Sequence, residues 1–318
     1  MAQKQSRMEK LLRYLNDNDA DKWQKNREKL DDETKAYYAE DLSLMDVLND
    51  LWNGQSEQAA TLYFGCYEKA AQNNFPSICE GEKIPLSQIR DKADQSIINL
   101  LEASKDKIPF SRALLDSIHA TEYPVDSAML QRLQNIREVA LLEGMLKAPT
   151  PIIYQTYVKE YPNGKFIAQV NASENVRLYQ LVKTTPTPAN FKAFFEDPEM
   201  QKYYQDRGPR PYLAEVRTLY DDFLFQRIDS LKKEGNATAI RQIIDDYKNT
   251  PYLATGARTH LNDLEYLSEK ADFELLKPAI VNSESLGLLQ EFLKTHKYKE
   301  FRDQAKNLRA PFILQAIV

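Results

Sequence analysis

Three histidines, two cysteines and a few adjacent acid pairs are the side chains with intrinsic reactivity, and their spacing limits the chemistry open to them. His119, His260 and His296 fall in separate helical segments, and none belongs to a two-histidine pattern such as His-Glu-x-x-His. Cys66 and Cys79 are too few for a structural zinc site, which takes about four ligands, or for a disulfide framework. Cys66 sits on an apolar helical stretch without an activating histidine nearby in sequence, and reads as a buried free thiol ahead of a bridge to Cys79. Asp221 with Asp222, or Asp245 with Asp246, could do the acid and base work of a glycosidase. Neighbouring helical positions point about 100° apart, however, which favours solvated helical faces. No glycine-rich phosphate loop and no Gly-x-Ser-x-Gly elbow occurs. The expectation is a protein without catalytic residues, metal or cofactor.

Residue types suited to recognition gather elsewhere. Tyr203, Tyr204, Arg207 and Arg210 crowd the stretch from Asp197 to Arg210, and aromatic and arginine side chains are those enriched at interface hot spots. Aligning Phe191, Phe194 and Phe195 with Ile240, Ile243 and Ile244 leaves that stretch as an insertion before Pro211. A second alignment starts a hairpin at Met200, because Met200, Tyr203, Tyr204 and Arg207 also fit i, i+3, i+4 and i+7. The tyrosines would then be core or local capping. Both alignments stay open, and the four residues form the candidate contact site.

The elements that must position them are helical. Glycine is scarce, at 9 in 318 residues, and prolines such as Pro109, Pro149, Pro151, Pro186, Pro188, Pro251 and Pro278 fall between apolar patterns, where a missing amide does least harm. Tyr154, Tyr157, Val158 and Tyr161 share one helical face, as do Ile240, Ile243, Ile244 and Tyr247, and again Leu289, Phe292, Leu293 and His296. His296 thus takes the position of Tyr161 and Tyr247, which reads as hairpin packing. In each case an aromatic residue follows: Phe166, Tyr252 and Phe301. Pro-Tyr-Leu-Ala at Pro211–Ala214 recurs at Pro251–Ala254, adding Tyr212 as a fourth anchor. The anchors lie roughly 40 to 50 residues apart, the period of stacked helical hairpins. Such a hairpin cannot cover its own apolar stripe, so neighbours must stack.

The expected organisation is therefore N-terminal helical hairpins over 1–72, an irregular loop over 73–86, and middle helices over 87–149 opened by a Ser87 cap. Four hairpin repeats follow over 150–318. Together these make an all-α, right-handed superhelix of antiparallel hairpins with no significant sheet, and the apolar end Pro311–Val318 packs as a cap.

Asn53-Gly54-Gln55-Ser56-Glu57-Gln58-Ala59 resembles the hairpin turn of tetratricopeptide repeats, with Gly54 at the turn and Ala59 at the small packing position. Tyr161-Pro162-Asn163-Gly164-Lys165-Phe166 resembles the Tyr-Pro-x-x-x-Tyr turn of tetratricopeptide-like repeats in bacterial envelope proteins. The period here exceeds that of the tetratricopeptide pattern and the copies are uneven. The resemblance implies a fold and an interaction role, not a ligand.

A net charge of −5 offers no basic field for nucleic acid, and the longest apolar runs fall short of the roughly 18 residues that span a bilayer. The segment Lys294–Arg309 is mildly basic and reads as a solvated outer face. Met1 is followed by Ala-Gln-Lys-Gln-Ser without an apolar core; a small residue before Gln-Lys-Gln suits a mature end left by a signal peptidase. The expectation is a periplasmic or otherwise exported scaffold that binds a protein or peptide, with a cytoplasmic start as the alternative. A glycan-binding or carbohydrate-active helical protein, using the 18 tyrosines as stacking platforms, is the competing class.

Overall fold

The computed structural model describes residues 2–54, 56–234, 236–253 and 260–315. Among the described residues the regular structure is helical throughout, with no strand and no sheet. The chain divides into two compact units, Met1–Val170 and Asn171–Val318.

The N-terminal unit comprises α1 (Ala2–Asn16), α2 (Ala20–Glu28), α3 (Asp32–Tyr37), α4 (Ala39–Trp52), α5 (Glu57–Ala71), α6 (Phe75–Glu82), α7 (Leu86–Ala103), α8 (Lys107–Ala120), α9 (Ser127–Lys147) and α10 (Pro151–Glu160). The next helix, α11 (Ile167–Thr184), begins in this unit. Local chemistry sets several of these starts. Ser56 accepts from the Ala59 amide at 3.2 Å and Thr150 from the Ile153 amide at 3.3 Å, with Pro151 filling a first-turn position that needs no amide. Tyr63, Phe64 and Phe75 are fully buried, and the Tyr123 ring meets Tyr63, Phe64 and Tyr67 edge-on at 5.6, 4.9 and 5.1 Å. Burying each such ring contributes roughly 1.5–3 kcal/mol.

Residues 73–86, expected as an irregular loop, contain α6, with Phe75, Ile78 and Cys79 buried. Asn74 supplies no side-chain cap. The buried Asp41 carboxyl of α4 lies beside this start, near the Phe75 amide and accepting from Asn73 Nδ2 at 3.4 Å. A carboxylate reaching over from another helix thus meets the positive end of α6. Ser87 lies inside α7, whose N-cap is Pro85.

The turn from α10 to α11 is built around Tyr157. Its hydroxyl donates to Glu138 of α9 at 2.7 Å and accepts from the Phe166 amide at 3.0 Å. A Cβ on Gly164 would lie 2.5 Å from Glu138 Oε1 and 2.6 Å from the Tyr157 hydroxyl, so the turn closes only over a residue without a side chain. Gly164→Ala is therefore expected to lower stability by about 1–3 kcal/mol, the cost of forcing this buried hydrogen-bonded pair apart, read as a shift in the urea midpoint at unchanged slope.

The C-terminal unit contains the rest of α11 and then α12 (Pro188–Glu196), α13 (Pro198–Tyr204), α14 (Leu213–Glu234), α15 (Ala237–Asn249), α16 (Leu261–Ala279), α17 (Leu286–Thr295) and α18 (Lys299–Gln315). Helix α15 packs on α14 and α16, and α17 on α18. The face of Ile240, Ile243, Ile244 and Tyr247 is buried, joined by Leu224, Ile228 and Leu264. A second cluster gathers Phe273, Leu289, Phe292 and Phe301. Phe166 and Tyr212 stand immediately before α11 and α14, whereas Phe301 lies inside α18 and Tyr252 precedes residues outside those described. The expected cap over 311–318 concerns side chains outside those described.

Candidate functional site

The candidate residues sit where α12, α13 and the start of α14 come together. Thr187 caps α12 by accepting from the Asn190 amide at 3.2 Å, and Pro188 follows it. Asp197 closes α12 and at once caps α13, accepting from the Met200 amide at 2.8 Å ahead of Pro198. Two short helices thus replace one longer one. Phe191, Phe194 and Phe195 are buried, with Phe191 against Tyr220 at 4.8 Å and Phe223 at 5.3 Å; Met200 is buried as well. The chain leaves α13 through Gly208, whose φ of +99° suits a residue without a side chain.

Arg210 anchors the return. Its Nε donates to Asn175 Oδ1 at 2.6 Å, its Nη1 to the Phe194 carbonyl, and its guanidinium lies 4.0 Å from the Phe194 ring centroid. Asn175 in turn donates to the Pro211 carbonyl at 3.2 Å. Tyr212 then adopts φ of +63°, a left-handed conformation costly for an aromatic residue, with its ring stacked on Tyr179 at 4.3 Å. Arg210→Ala removes the staple and leaves Asn175 Oδ1 and the Phe194 carbonyl short of a donor. A loss of about 2–3 kcal/mol is expected, measured by chemical denaturation of the full chain.

The four candidate residues divide. Tyr203 and Arg207 serve each other: the Arg207 guanidinium lies 4.4 Å from the Tyr203 ring centroid, and Arg207 Nη1 donates to the Tyr203 carbonyl at 2.9 Å. Tyr204 and Arg210 instead line an open groove of about 920 Å³. Phe195, Pro198, Pro209, Pro251 and Tyr252 form its apolar walls, while Glu196, Lys202 and Arg217 bring charge to it. Tyr252 stacks flat on Phe195 at 4.5 Å, donates its hydroxyl to Glu196, and accepts from Arg217 Nε at 2.8 Å through its carbonyl. Sequence reasoning placed Tyr252 and Phe195 only in the packing register. Arg217 carried no signal, since nothing in its neighbourhood distinguishes it from other helical arginines.

The charges of the groove are unevenly matched. Glu196 is engaged by Tyr252 and by Lys192 at 3.7 Å. Among the described residues neither Lys202 nor Arg217 has an ion pair.

The reactive side chains disperse. Asp221 is fully buried, not solvated as expected, and accepts the Tyr247 hydroxyl, whereas Asp222 meets His260 Nε2 at 2.9 Å. Asp245 pairs with Arg241 at 3.3 Å and Asp246 accepts from Gln242 at 3.0 Å. Both cysteines are free thiols; Cys66 contacts Ser43 Oγ at 3.5 Å, and burial pushes the Cys79 thiol up to about 12. Asp94, near-buried and accepting from the Tyr123 hydroxyl, is raised by burial to about 6 beside a cleft of about 350 Å³ lined by Arg90, Asp91, Asp126 and Arg132. Among the described residues no group of three or more His, Cys, Asp or Glu side chains is placed to hold a metal, and no helix is long and apolar enough to cross a membrane.

No family model, no curated protein and no solved structure matches the chain.

Proposed function

We propose that the protein is a noncatalytic scaffold of the tetratricopeptide-like helical-repeat type that binds a protein or peptide through the groove beside α13. The observation that carries this reading is the groove itself: stacked aromatic and proline walls joined by cations that the protein does not neutralise. Half-buried aromatic and arginine groups gathered in one depression, here Tyr204, Tyr252 and Arg217, are the composition of interface hot spots.

The repeat part of the reading draws on a recurring contact. At or near the ends of α10, α15 and α17 one residue reaches back to the preceding long helix: Tyr161 to the Gln134 carbonyl at 3.1 Å, Tyr247 to the Asp221 carboxylate, and His296 Nε2 to Asp272 Oδ2 at 3.1 Å. These three residues hold one position of the sequence register, filled twice by tyrosine and once by histidine.

The competing glycan reading needs tyrosines presented to solvent. Of the 18 tyrosines only Tyr37 and Tyr212 are exposed, and Tyr212 is already stacked on Tyr179. Tyrosine abundance therefore goes into packing.

A photoreactive phenylalanine at Gln205, on the groove, and a control at exposed Lys277, away from it, test the reading in native extract. Polypeptide adducts are expected at position 205 and not at 277. Equal labelling at both positions, or adducts to neither, would overturn it.

A further inference from the structure

Resting on that reading of the groove, we propose that its occupant is an extended peptide segment carrying an Asp or Glu beside an apolar or proline residue. Arg210 is committed to Asn175 and the Phe194 carbonyl, and Glu196 to Tyr252 and Lys192. That leaves Lys202, and Arg217 beyond the one N–H it gives the Tyr252 carbonyl, as cations lining the groove without an ion pair among the described residues, in a chain whose overall charge is −5. The attraction for an acidic ligand is therefore local to this site rather than a property of the whole surface. Local charges of this kind select partners by matching sign and lose strength as salt rises.

The walls decide the rest of the ligand. A free inorganic anion would satisfy Lys202 and Arg217 but leave the half-buried Tyr204 and Tyr252 uncovered. Nucleic acid would need a run of cations along its backbone, and two do not make one. An extended peptide meets both demands at once. Its mode of docking follows from the walls: among the described residues no strand offers an edge to pair with, and Pro198, Pro209 and Pro251 have no amide to donate. Recognition falls to flat aromatic faces. These suit a left-handed extended peptide, which presents side chains on three sides and needs no backbone partner.

The test pans a random decapeptide phage library against the full chain and against Lys202→Glu/Arg217→Glu. Lys202 is exposed and Arg217 is half-buried, and the thermal midpoint of the double variant is recorded alongside. Peptides selected on the natural chain are expected to be enriched in Asp or Glu next to proline, aliphatic or aromatic residues. The double variant is expected to weaken the best synthetic peptide by about tenfold or more, with an Asp→Lys form of that peptide recovering affinity for the variant. That recovery separates charge recognition from damage to the fold. Peptides selected without acidic bias, or an affinity indifferent to the charge reversal, overturn the acidic ligand while leaving a peptide-binding groove in place. Enrichment of no peptide on the natural chain overturns both.

Discussion

Replacing Arg137 by alanine is expected to lower the stability of the N-terminal unit by about 3–5 kcal/mol, the cost of breaking a buried ion pair by removing one partner. Arg137, on α9, is one of the largest fully buried side chains of the molecule, at 2% exposure. Its Nε and Nη2 grip Glu160 of α10 at 2.5 and 2.9 Å, while Nη1 donates to the Ile108 carbonyl at 2.8 Å and to Ser111 Oγ at 3.2 Å on α8. One side chain thus joins three helices. Burial works to raise the Glu160 carboxyl, but hydrogen bonds and charge from Arg137 and Arg112 outweigh it and hold the group below its ordinary value. The stability it contributes is present above its unfolded value and is lost as pH falls through the lower folded one. The double change Arg137→Met/Glu160→Leu, which removes both charges together, is expected to cost far less than Arg137→Ala alone. Urea midpoints for the two variants check this; equal losses would mean that packing, not charge pairing, holds the three helices.

Asp41→Asn is expected to act in the opposite direction, stabilising the protein by about 2 kcal/mol near pH 8 and by almost nothing near pH 4. Asp41 is fully buried, and burial raises its carboxyl from 3.8 to about 7, partly countered by the Phe75 amide and Asn73. A carboxyl raised on folding contributes stability that is fully present below its unfolded value and is lost as pH climbs through the folded one. The natural protein therefore gives up stability between about pH 4 and pH 7, and asparagine, which resembles the protonated acid in shape, does not. Denaturation of both proteins at the two pH values checks it. An equal effect at both would show that the carboxylate is not destabilised at its buried place beside α6.

The same residue explains one of the places where the sequence was opaque. Phe75, Ile78 and Cys79 do lie at helical spacing, but Pro76, Gly81 and Pro85 break the stretch into too few turns to declare a helix locally. The polar group beside the start of α6 is Asp41, more than thirty residues earlier, and no local pattern reports a group supplied from another helix. By contrast α10, α12 and α13 each open on their own Thr or Asp followed by proline, and α15 and α17 each show a full apolar face, so these were readable.

The site was legible in part for a similar reason. Residues 197–210 stand out by composition, which is a local property. Arg210 is spent on Asn175, 35 positions away, and Tyr203 and Arg207 on one another, and neither fact follows from residue type. Phe195, Arg217 and Tyr252 reach the groove from three separate segments, and the register that marked two of them as packing residues had no means of showing which side of the ring stays open.

Hydrogen–deuterium exchange on the full chain, with and without the tightest decapeptide from the library selection, tests the central claim most directly. The groove predicts slower exchange in segments 195–217 and 251–253 and unchanged exchange through residues 2–160. Slowing confined to the N-terminal unit, or none in 195–217 at saturating peptide, would contradict it.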